Sequence, residues 1–212
     1  MKIYEYGNSD AAIVLVQPVD DHDMAGLEAE VAEILRLAEK DFCLLAIKVD
    51  SWNRDLSPWQ APAVFWNDDF GVGAMETLAG ILKLCREEDK TYFLGGYSLA
   101  ALFSLWTAYQ TDTFVGIAAA SPSMWFPGFV DYMKENTIQC SNIYLSLGDK
   151  EEKTRNVVMA KVGDCIRDMH GWLKEQGINC ILEWNAGGHF REPELRTARA
   201  FAWLLEQLPF TA

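Results

Sequence analysis

The feature that most constrains the fold is the segment Thr91–Ala100, where an apolar strand passes through a tight turn into a helix. The turn reads Gly96-Tyr-Ser-Leu-Ala100, with a small residue two places on either side of Ser98. A larger side chain at either place would strike the neighbouring strand or helix and prevent so sharp a turn. The pattern therefore predicts a nucleophile elbow, in which a serine hydroxyl is exposed on a strained strand–helix turn.

Strands and helices alternate along the chain. Most of the seven predicted strands are continuous apolar runs, which is typical of strands covered on both faces, and helical periodicity fills the intervals. This order predicts a single α/β domain over residues 1–212, with a mostly parallel central sheet and helices on both faces. The predicted strands are Lys2–Tyr6, Ala12–Val16, Phe42–Val49, Thr91–Gly95, Phe114–Ala120, Asn142–Leu147 and Asn179–Trp184.

Composition and charge narrow the class of protein. With 212 residues, of which 50% are hydrophobic, the chain is expected to bury a full core. A net charge of −13 disfavours nucleic acid and anionic membranes as partners. The polar N-terminus shows no signal segment, and five scattered cysteines without a Cys-x-x-Cys pair indicate reduced thiols. We therefore expect a cytoplasmic protein without a membrane partner.

A serine nucleophile needs a base to accept its proton, and the chain has three histidines. His170 falls inside a predicted helix, Asn156–Gln176. His189 lies in the Gly-rich turn Asn185–Phe190, after the last strand and at the same sheet edge as the elbow. It also satisfies the order nucleophile, acid, histidine that accompanies such elbows. We predict His189 as the base.

The acid is expected on the loop after the strand Asn142–Leu147, because that loop reaches the same edge of a parallel sheet. Three carboxylates compete there: Asp149, Glu151 and Glu152. We favour Glu151, which clears the strand end far enough to bend back, and keep the other two as alternatives. The competing interpretation is a solvated acidic cluster before a helix.

The oxyanion hole is expected to use the N–H of Leu99, the residue after the nucleophile, and a second N–H from an earlier loop. The candidate loop is Gln17–Asp23, which follows the strand Ala12–Val16. Pro18 has no N–H, so Val19 is the predicted second donor.

The same loop carries Asp20, Asp21, His22 and Asp23, which could be metal ligands. Adjacent loop residues rarely converge on one ion, and no His-x-x-x-His pair accompanies them. We instead expect Asp23 to cap a helix that begins near Met24, with His22 as a bystander or a group on the substrate side. No metal and no cofactor is predicted.

A long segment, Asp50–Gly73, is too rich in proline and aromatic residues to form a regular helix, and such loops are usually functional. It begins at the carboxyl edge of the sheet, where ligands bind in open α/β folds. Its tryptophans, with one further along the chain, are expected to form an aromatic entrance, although core packing is the alternative for some of them. They are Trp52, Trp59, Trp66 and Trp125.

Several separated motifs resemble the putative-esterase branch of the α/β-hydrolase superfamily, which includes esterase-D-like enzymes and siderophore esterases. They are Gly95–Ala100, Ser-Pro-Ser-Met-Trp at Ser121–Trp125, Leu147–Glu151 and Gly187–Phe190. The resemblance implies the α/β-hydrolase fold and esterase activity. It also implies a pocket lined by Ser123 and Trp125, although Trp125 could equally pack under the next helix.

The chain also departs from that branch. It is short, and no segment after Phe114–Ala120 is long enough for a large lid domain. Its Gln-Pro-Val sequence replaces the His-Gly type of many lipases, which disfavours lipid substrates. Arg54, Lys150 and Lys153 are too few basic residues to predict a large anionic siderophore as substrate.

The sequence thus predicts a serine hydrolase that cleaves a small or aromatic carboxylic ester, as a monomer or homo-oligomer. A thioesterase, an acyltransferase and a peptidase remain alternatives, because the same residues serve each reaction. A non-catalytic binding protein of the same fold and a metal-dependent hydrolase are alternatives from other classes.

Overall fold

The computed structural model describes residues 1–64 and 67–208. Its centre is a seven-stranded sheet in which β1 is antiparallel to β3 and all other neighbours are parallel. The strand order is β1-β3-β2-β4-β5-β6-β7. All seven predicted strands are present: β1 (Lys2–Gly7), β2 (Ile13–Val19), β3 (Cys43–Lys48), β4 (Thr91–Tyr97), β5 (Phe114–Ala120), β6 (Asn142–Gly148) and β7 (Asn179–Asn185).

Helices cover both faces of the sheet, as predicted. One face carries α2 and α8, and the other carries α4 to α7. Side chains alternate along the strands between the two resulting cores: Val14 and Leu94 face one, and Leu15 and Phe93 the other. The helices are α1 (Asp21–Met24), α2 (Leu27–Leu37), α3 (Trp52–Asp55), α4 (Ala74–Leu82), α5 (Leu99–Thr107), α6 (Phe129–Glu135), α7 (Val162–Glu175) and α8 (Pro193–Glu206).

The prediction that residues 17–23 form a loop is wrong, because β2 continues to Val19. The pairing of β2 with β4 ends at Val16 opposite Leu94, whereas the pairing with β3 continues to Val19. Neighbouring residues of a strand turn their N–H groups to opposite sides. Pro18 faces β4 at a position where β2 and β4 no longer pair. Its missing N–H therefore removes no hydrogen bond from the sheet.

Short connections keep the carboxyl edge of the sheet open. Between β5 and β6 the chain forms only α6 and its flanking turns, so no lid domain is present there. The segment Asp50–Gly73 contains the one-turn helix α3 and a bridge between Ala61 and Phe70. Trp66, predicted for the aromatic entrance, lies outside the described residues.

Two further predictions concern single residue types. His170 lies in a helix, as predicted, although α7 begins at Val162 after a short 3-10 turn, Met159–Lys161. All five cysteines are free thiols. Within the described ranges, no helix has both the length and the apolar character needed to cross a membrane.

Candidate active site

Ser98 occupies a strained turn between β4 and α5, with φ 57° and ψ −115°. A positive φ is costly for a residue with a Cβ and persists only where the surroundings impose it. The backbone can turn this sharply because Gly96 and Ala100 are in close approach. A Cβ added at Gly96 would lie 2.7 Å from the Cβ of Ala100. The small residues two places on either side of the serine are therefore needed for the reason predicted.

A line of hydrogen bonds joins Ser98 to His189 and Glu151. Ser98 Oγ lies 3.0 Å from His189 Nε2, and His189 Nδ1 lies 2.7 Å from Glu151 Oε2. An ionised carboxylate only accepts, so Nδ1 carries the proton, and Nε2 is left to accept the proton of the serine hydroxyl. The structure thus brings together the three residues that were favoured from the sequence.

Glu151 opens a short 3-10 turn, Glu151–Lys153, directly after β6, and its side chain is 5% exposed. Its second oxygen, Oε1, accepts from Gly148 N–H at 2.7 Å and from Ser121 Oγ at 2.9 Å. Burial alone would raise the pKa of this carboxyl, but the hydrogen bonds and the nearby imidazole of His189 hold the pKa below its ordinary value. Glu151 is therefore ionised at neutral pH.

The two alternative carboxylates have other partners. Asp149 accepts from Gly187 N–H at 2.7 Å and so braces the turn that carries His189. Glu152 forms an ion pair with Arg167 at 2.7 Å. Neither is hydrogen-bonded to His189, which contacts Glu151 instead.

Sequence reasoning missed Arg196, which lies on α8 and is 1% exposed. Its Nη1 donates to Glu151 Oε1 at 2.9 Å, and its Nη2 donates to the carbonyl of Gly188 at 3.0 Å. The guanidinium thus holds both the acid and the backbone beside the histidine. The apolar residues around Arg196 in α8 indicate a core face, and an arginine among them gives no local signal of a polar network.

Tyr97, also missed, precedes the serine in the elbow. Its hydroxyl donates to the carbonyl of His189 at 2.5 Å and accepts from Arg196 Nη1 at 3.1 Å. Burial raises the pKa of this phenol to about 12, so it remains a donor at every physiological pH. Its ring packs against the imidazole of His189, with 5.1 Å between ring centroids. Tyr97 and Arg196 therefore fix the position of the histidine.

The two predicted oxyanion donors differ in their placement. Leu99 is the first residue of α5, so its N–H has no partner within the helix. The carbonyl of Val19 accepts from Val49 N–H beyond the end of β3. In a strand, the N–H and C=O of one residue point to the same side, so Val19 N–H also faces β3 and not Ser98. The next N–H, that of Asp20, lies beyond the end of β2 and donates to Asp23 Oδ2 at 3.3 Å.

The acidic segment after β2 forms a helix cap. Asp20, not Asp23, is the N-cap of α1, and its Oδ1 accepts from the N–H groups of His22 and Asp23. The side chain of Asp23 in turn accepts a hydrogen bond from the N–H of Asp20, which completes a capping box. In residues 1–64 and 67–208, no three His, Cys, Asp or Glu side chains are grouped so as to hold a metal ion.

Two pockets flank His189 and Phe190. A pocket of about 120 Å³ contains Ser98 and is walled by Trp52. A second, of about 220 Å³, lies beside Trp125 and the turn that carries Glu151. Ser123 is buried, and its Oγ lies 3.3 Å from Ser98 Oγ.

Trp59 does not belong to this entrance. Its Nε1 donates to the carbonyl of Pro127 at 2.9 Å, and its ring packs on Phe126, Phe129 and Tyr132. The sequence expectation of an aromatic entrance therefore applies to Trp52 and Trp125 and not to Trp59, which is partly buried and packs against the core.

No protein-family model matches the sequence, and neither does any curated protein. Solved structures do match. The siderophore hydrolase EstA from Aspergillus nidulans has a TM-score of 0.70 at 19% identity, over 94% of this chain and 85% of its own. An IroE-like serine hydrolase from Shewanella oneidensis has a TM-score of 0.73 at 14% identity, over 96% and 75%. The enterobactin esterase FES from Shigella flexneri has a TM-score of 0.60 at 16% identity, over 95% and 55%.

At these identities the likeness concerns the fold, and it agrees with the resemblance seen in the sequence motifs. Siderophore esterases and an IroE-like serine hydrolase are among the structural relatives of this chain. The seven-stranded, mostly parallel sheet with helices on both faces is the fold that they share with it. The chain therefore has the α/β-hydrolase fold.

Proposed function

We propose that this protein is a serine hydrolase that cleaves carboxylic esters, with Ser98 as nucleophile, His189 as general base and acid, and Glu151 as the orienting carboxylate. The observation that carries the proposal is the unbroken line of hydrogen bonds from Ser98 Oγ through the imidazole to Glu151 Oε2. Such a line on a strained strand–helix turn has the geometry of an activated serine.

In the proposed acylation, Ser98 Oγ attacks the ester carbonyl carbon while its proton passes to His189 Nε2. The imidazolium that forms is stabilised by the ionised Glu151 across the 2.7 Å contact at Nδ1. The proton on Nε2 then goes to the alcohol oxygen as the C–O bond breaks. Alcohol leaves, and the acyl group remains on Ser98.

The negative charge that develops on the carbonyl oxygen needs donors fixed in advance. Leu99 N–H, at the start of α5, is the first proposed donor. For the second we propose Asp20 N–H in place of Val19 N–H, because Asp20 lies beyond the pairing of β2 with β3 and lines the same pocket as Ser98. Its only hydrogen bond among the described residues, to Asp23 Oδ2, is long at 3.3 Å.

Deacylation repeats the steps with water. His189 Nε2 takes a proton from a water molecule, whose oxygen attacks the acyl carbon, and the proton then returns to Ser98 Oγ as the carboxylic acid leaves. Tyr97 and Arg196 hold the imidazole and the acid through both halves of the reaction.

The shape of the site favours a small or aromatic ester. The pocket at Ser98 has a volume of only about 120 Å³, and Trp52 and Phe190 contribute aromatic walls. Flat aromatic groups pack well against such walls. The same three residues could act on thioesters, so matched oxygen and thiol esters of one acyl group should be compared.

The decisive experiment is intact-mass spectrometry after treatment with a fluorophosphonate. We expect one adduct on the native protein, none on Ser98→Ala, and labelling slowed at least 100-fold in His189→Ala. Ser123→Ala is the matched control, since its hydroxyl lies 3.3 Å from that of Ser98, and it should be labelled normally. An adduct that persists in Ser98→Ala, or no adduct on the native protein, would overturn the proposal.

A further inference from the structure

A second cavity adjoins the pocket that contains Ser98. It has a volume of about 220 Å³ and extends from α1 to the first turn of α8, beside Glu30 of α2. The two cavities share four lining residues, so they meet along one wall: His22, Asp23, Tyr97 and Pro193. The cavity therefore lies directly beside the pocket of the proposed nucleophile.

Carboxylates dominate its lining. Asp23, Glu30 and Glu194 all contribute, and none of the described residues that line it is lysine or arginine. Burial, followed by the charge of Asp20, raises the pKa of Asp23 to about 6. Burial also holds the pKa of Glu30 well above its ordinary value, and Asp23 and Glu194 add to that effect. The cavity thus groups three acidic side chains, two of them held toward their protonated form, with no lysine or arginine beside them.

Two deeply buried acceptors lack donors. Glu30 is 3% exposed and Gln17 is 2% exposed, and one hydrogen bond of 3.3 Å joins Gln17 Nε2 to Glu30 Oε2. The remaining oxygens, Glu30 Oε1 and Gln17 Oε1, have no hydrogen-bond partner among the described residues. Buried polar atoms are nearly always satisfied, so these two oxygens point to a missing group that donates.

We propose that this cavity is a subsite for a primary ammonium group carried by the ester substrate, with Glu30, Gln17 and Asp23 as its acceptors. The inference rests on the proposed function, because Ser98 gives the cavity its substrate. An ammonium supplies three N–H donors and one positive charge, which matches two unpaired buried oxygens and an excess of carboxylates. A divalent metal ion is a poorer match, since no metal-ligating group of three side chains exists in the described part of the chain.

Binding can be tested without catalysis. Ser98→Ala protein is titrated by calorimetry with n-butylammonium, 1-butanol and tetramethylammonium. We expect n-butylammonium to bind at least about tenfold more tightly than the other two, because butanol lacks the charge and tetramethylammonium lacks the N–H donors. In the double variant Ser98→Ala/Glu30→Gln, the preference for n-butylammonium over the other two molecules should be lost. The matched control is Glu28→Gln, an exposed position on the same helix, which should retain it.

Ester hydrolysis provides a second test of the ammonium subsite. 4-Nitrophenyl esters of ω-amino acids of increasing chain length are compared with the unsubstituted alkanoyl esters, and amine-bearing alcohol esters with their alkyl counterparts. We expect kcat/KM to favour the ammonium ester at least about tenfold at one chain length, on one side of the ester. The ratio should fall toward one in Glu30→Gln and stay unchanged in Glu28→Gln. If Glu30→Gln does not fold, Asp23→Asn serves the same test.

The outcomes separate the two proposals. Equal binding of all three small molecules, or a preference that survives Glu30→Gln, overturns the ammonium subsite and leaves an internal water as the partner of these oxygens. Neutral esters would still be cleaved in that case, and the serine hydrolase proposal would stand. If Ser98 is never labelled, the hydrolase proposal fails, while calorimetry still decides whether the cavity binds an ammonium.

Discussion

The guanidinium of Arg196 lies 2.9 Å from Glu151 Oε1, on the side of the carboxylate opposite to His189. The two carboxylate oxygens of Glu151 therefore have different partners. Oε1 contacts the permanently charged guanidinium of Arg196, and Oε2 contacts the imidazole of His189. This arrangement keeps Glu151 ionised in a buried place, where a lone carboxylate would be costly. It also means that one residue of α8 determines how the acid and the turn that carries His189 are held.

Replacement of that cation should affect stability and chemistry together. We expect Arg196→Met to destabilise the fold by about 3–5 kcal/mol, because it leaves the buried Glu151 without its partner. The kcat for ester cleavage should fall as well, because Arg196 also donates to the carbonyl of Gly188 beside His189. Urea unfolding and steady-state kinetics on the folded variant test this prediction. A purely structural arginine would lower stability without lowering the kcat of the folded protein.

The identity of the acid can be tested by replacing Glu151 and each neighbouring carboxylate, one at a time, with the corresponding amide. Glu151→Gln should lower kcat by about 10³–10⁴-fold, because the amide no longer stabilises the imidazolium and can impose the wrong tautomer. Glu152→Gln is the matched control: it loses only the ion pair with Arg167 and should stay within a few fold of the native rate. If Glu152→Gln, or Asp149→Asn at the neighbouring turn, were the more damaging change, Glu151 would not be the acid.

The close approach of Gly96 and Ala100 at the elbow predicts that substitutions at these two positions have non-additive effects on stability. Gly96→Ala should destabilise by about 1–3 kcal/mol and slow fluorophosphonate labelling, because its Cβ would lie 2.7 Å from the Cβ of Ala100. Ala100→Gly alone should cost about 1 kcal/mol of helix stability. The double variant should be more stable than the sum of the two costs predicts. Strict additivity in urea unfolding would show that the contact does not govern the turn.

Glu30 gives a prediction about pH. Its folded-state pKa is raised above its unfolded value, so the folded protein holds an extra proton above about pH 4.5 and loses stability as the pH rises. The slope is about 1.4 kcal/mol per pH unit until the folded pKa is reached. Glu30→Gln mimics the protonated form, so its stability relative to native protein should be greater at pH 8 than at pH 5. Glu28→Gln should show no such difference in urea unfolding, and an identical offset for Glu30→Gln at both pH values would contradict the argument.

The sequence was sufficient for those parts of the site that have local signatures. Ser98 was predicted from the small residues around it, and His189 from a Gly-rich turn after the last strand. Glu151 was predicted from its distance beyond a strand end. Each of these signals depends on a few adjacent residues and on the rule that parallel strands end at one edge.

The remaining features depend on contacts between distant segments. The partners of Arg196 come from β4, from the ends of β5 and β6, and from the turn before α8, so no window of sequence contains the network. The continuation of β2 through Pro18 depends on where β4 stops pairing, which is a property of the sheet. Trp59 was assigned to the entrance because composition cannot distinguish a tryptophan that packs against the core from one in a pocket wall.

The position of Arg196, after all three proposed catalytic residues in chain order, also bears on when activity can arise during synthesis. Ser98, Glu151 and His189 all leave the ribosome before α8 is complete, yet the acid and the histidine turn are held by a residue of that helix. A nascent chain can thus contain the whole triad and still lack the cation that aligns it. The proposed hydrolytic activity should therefore appear only once α8 has packed against the sheet.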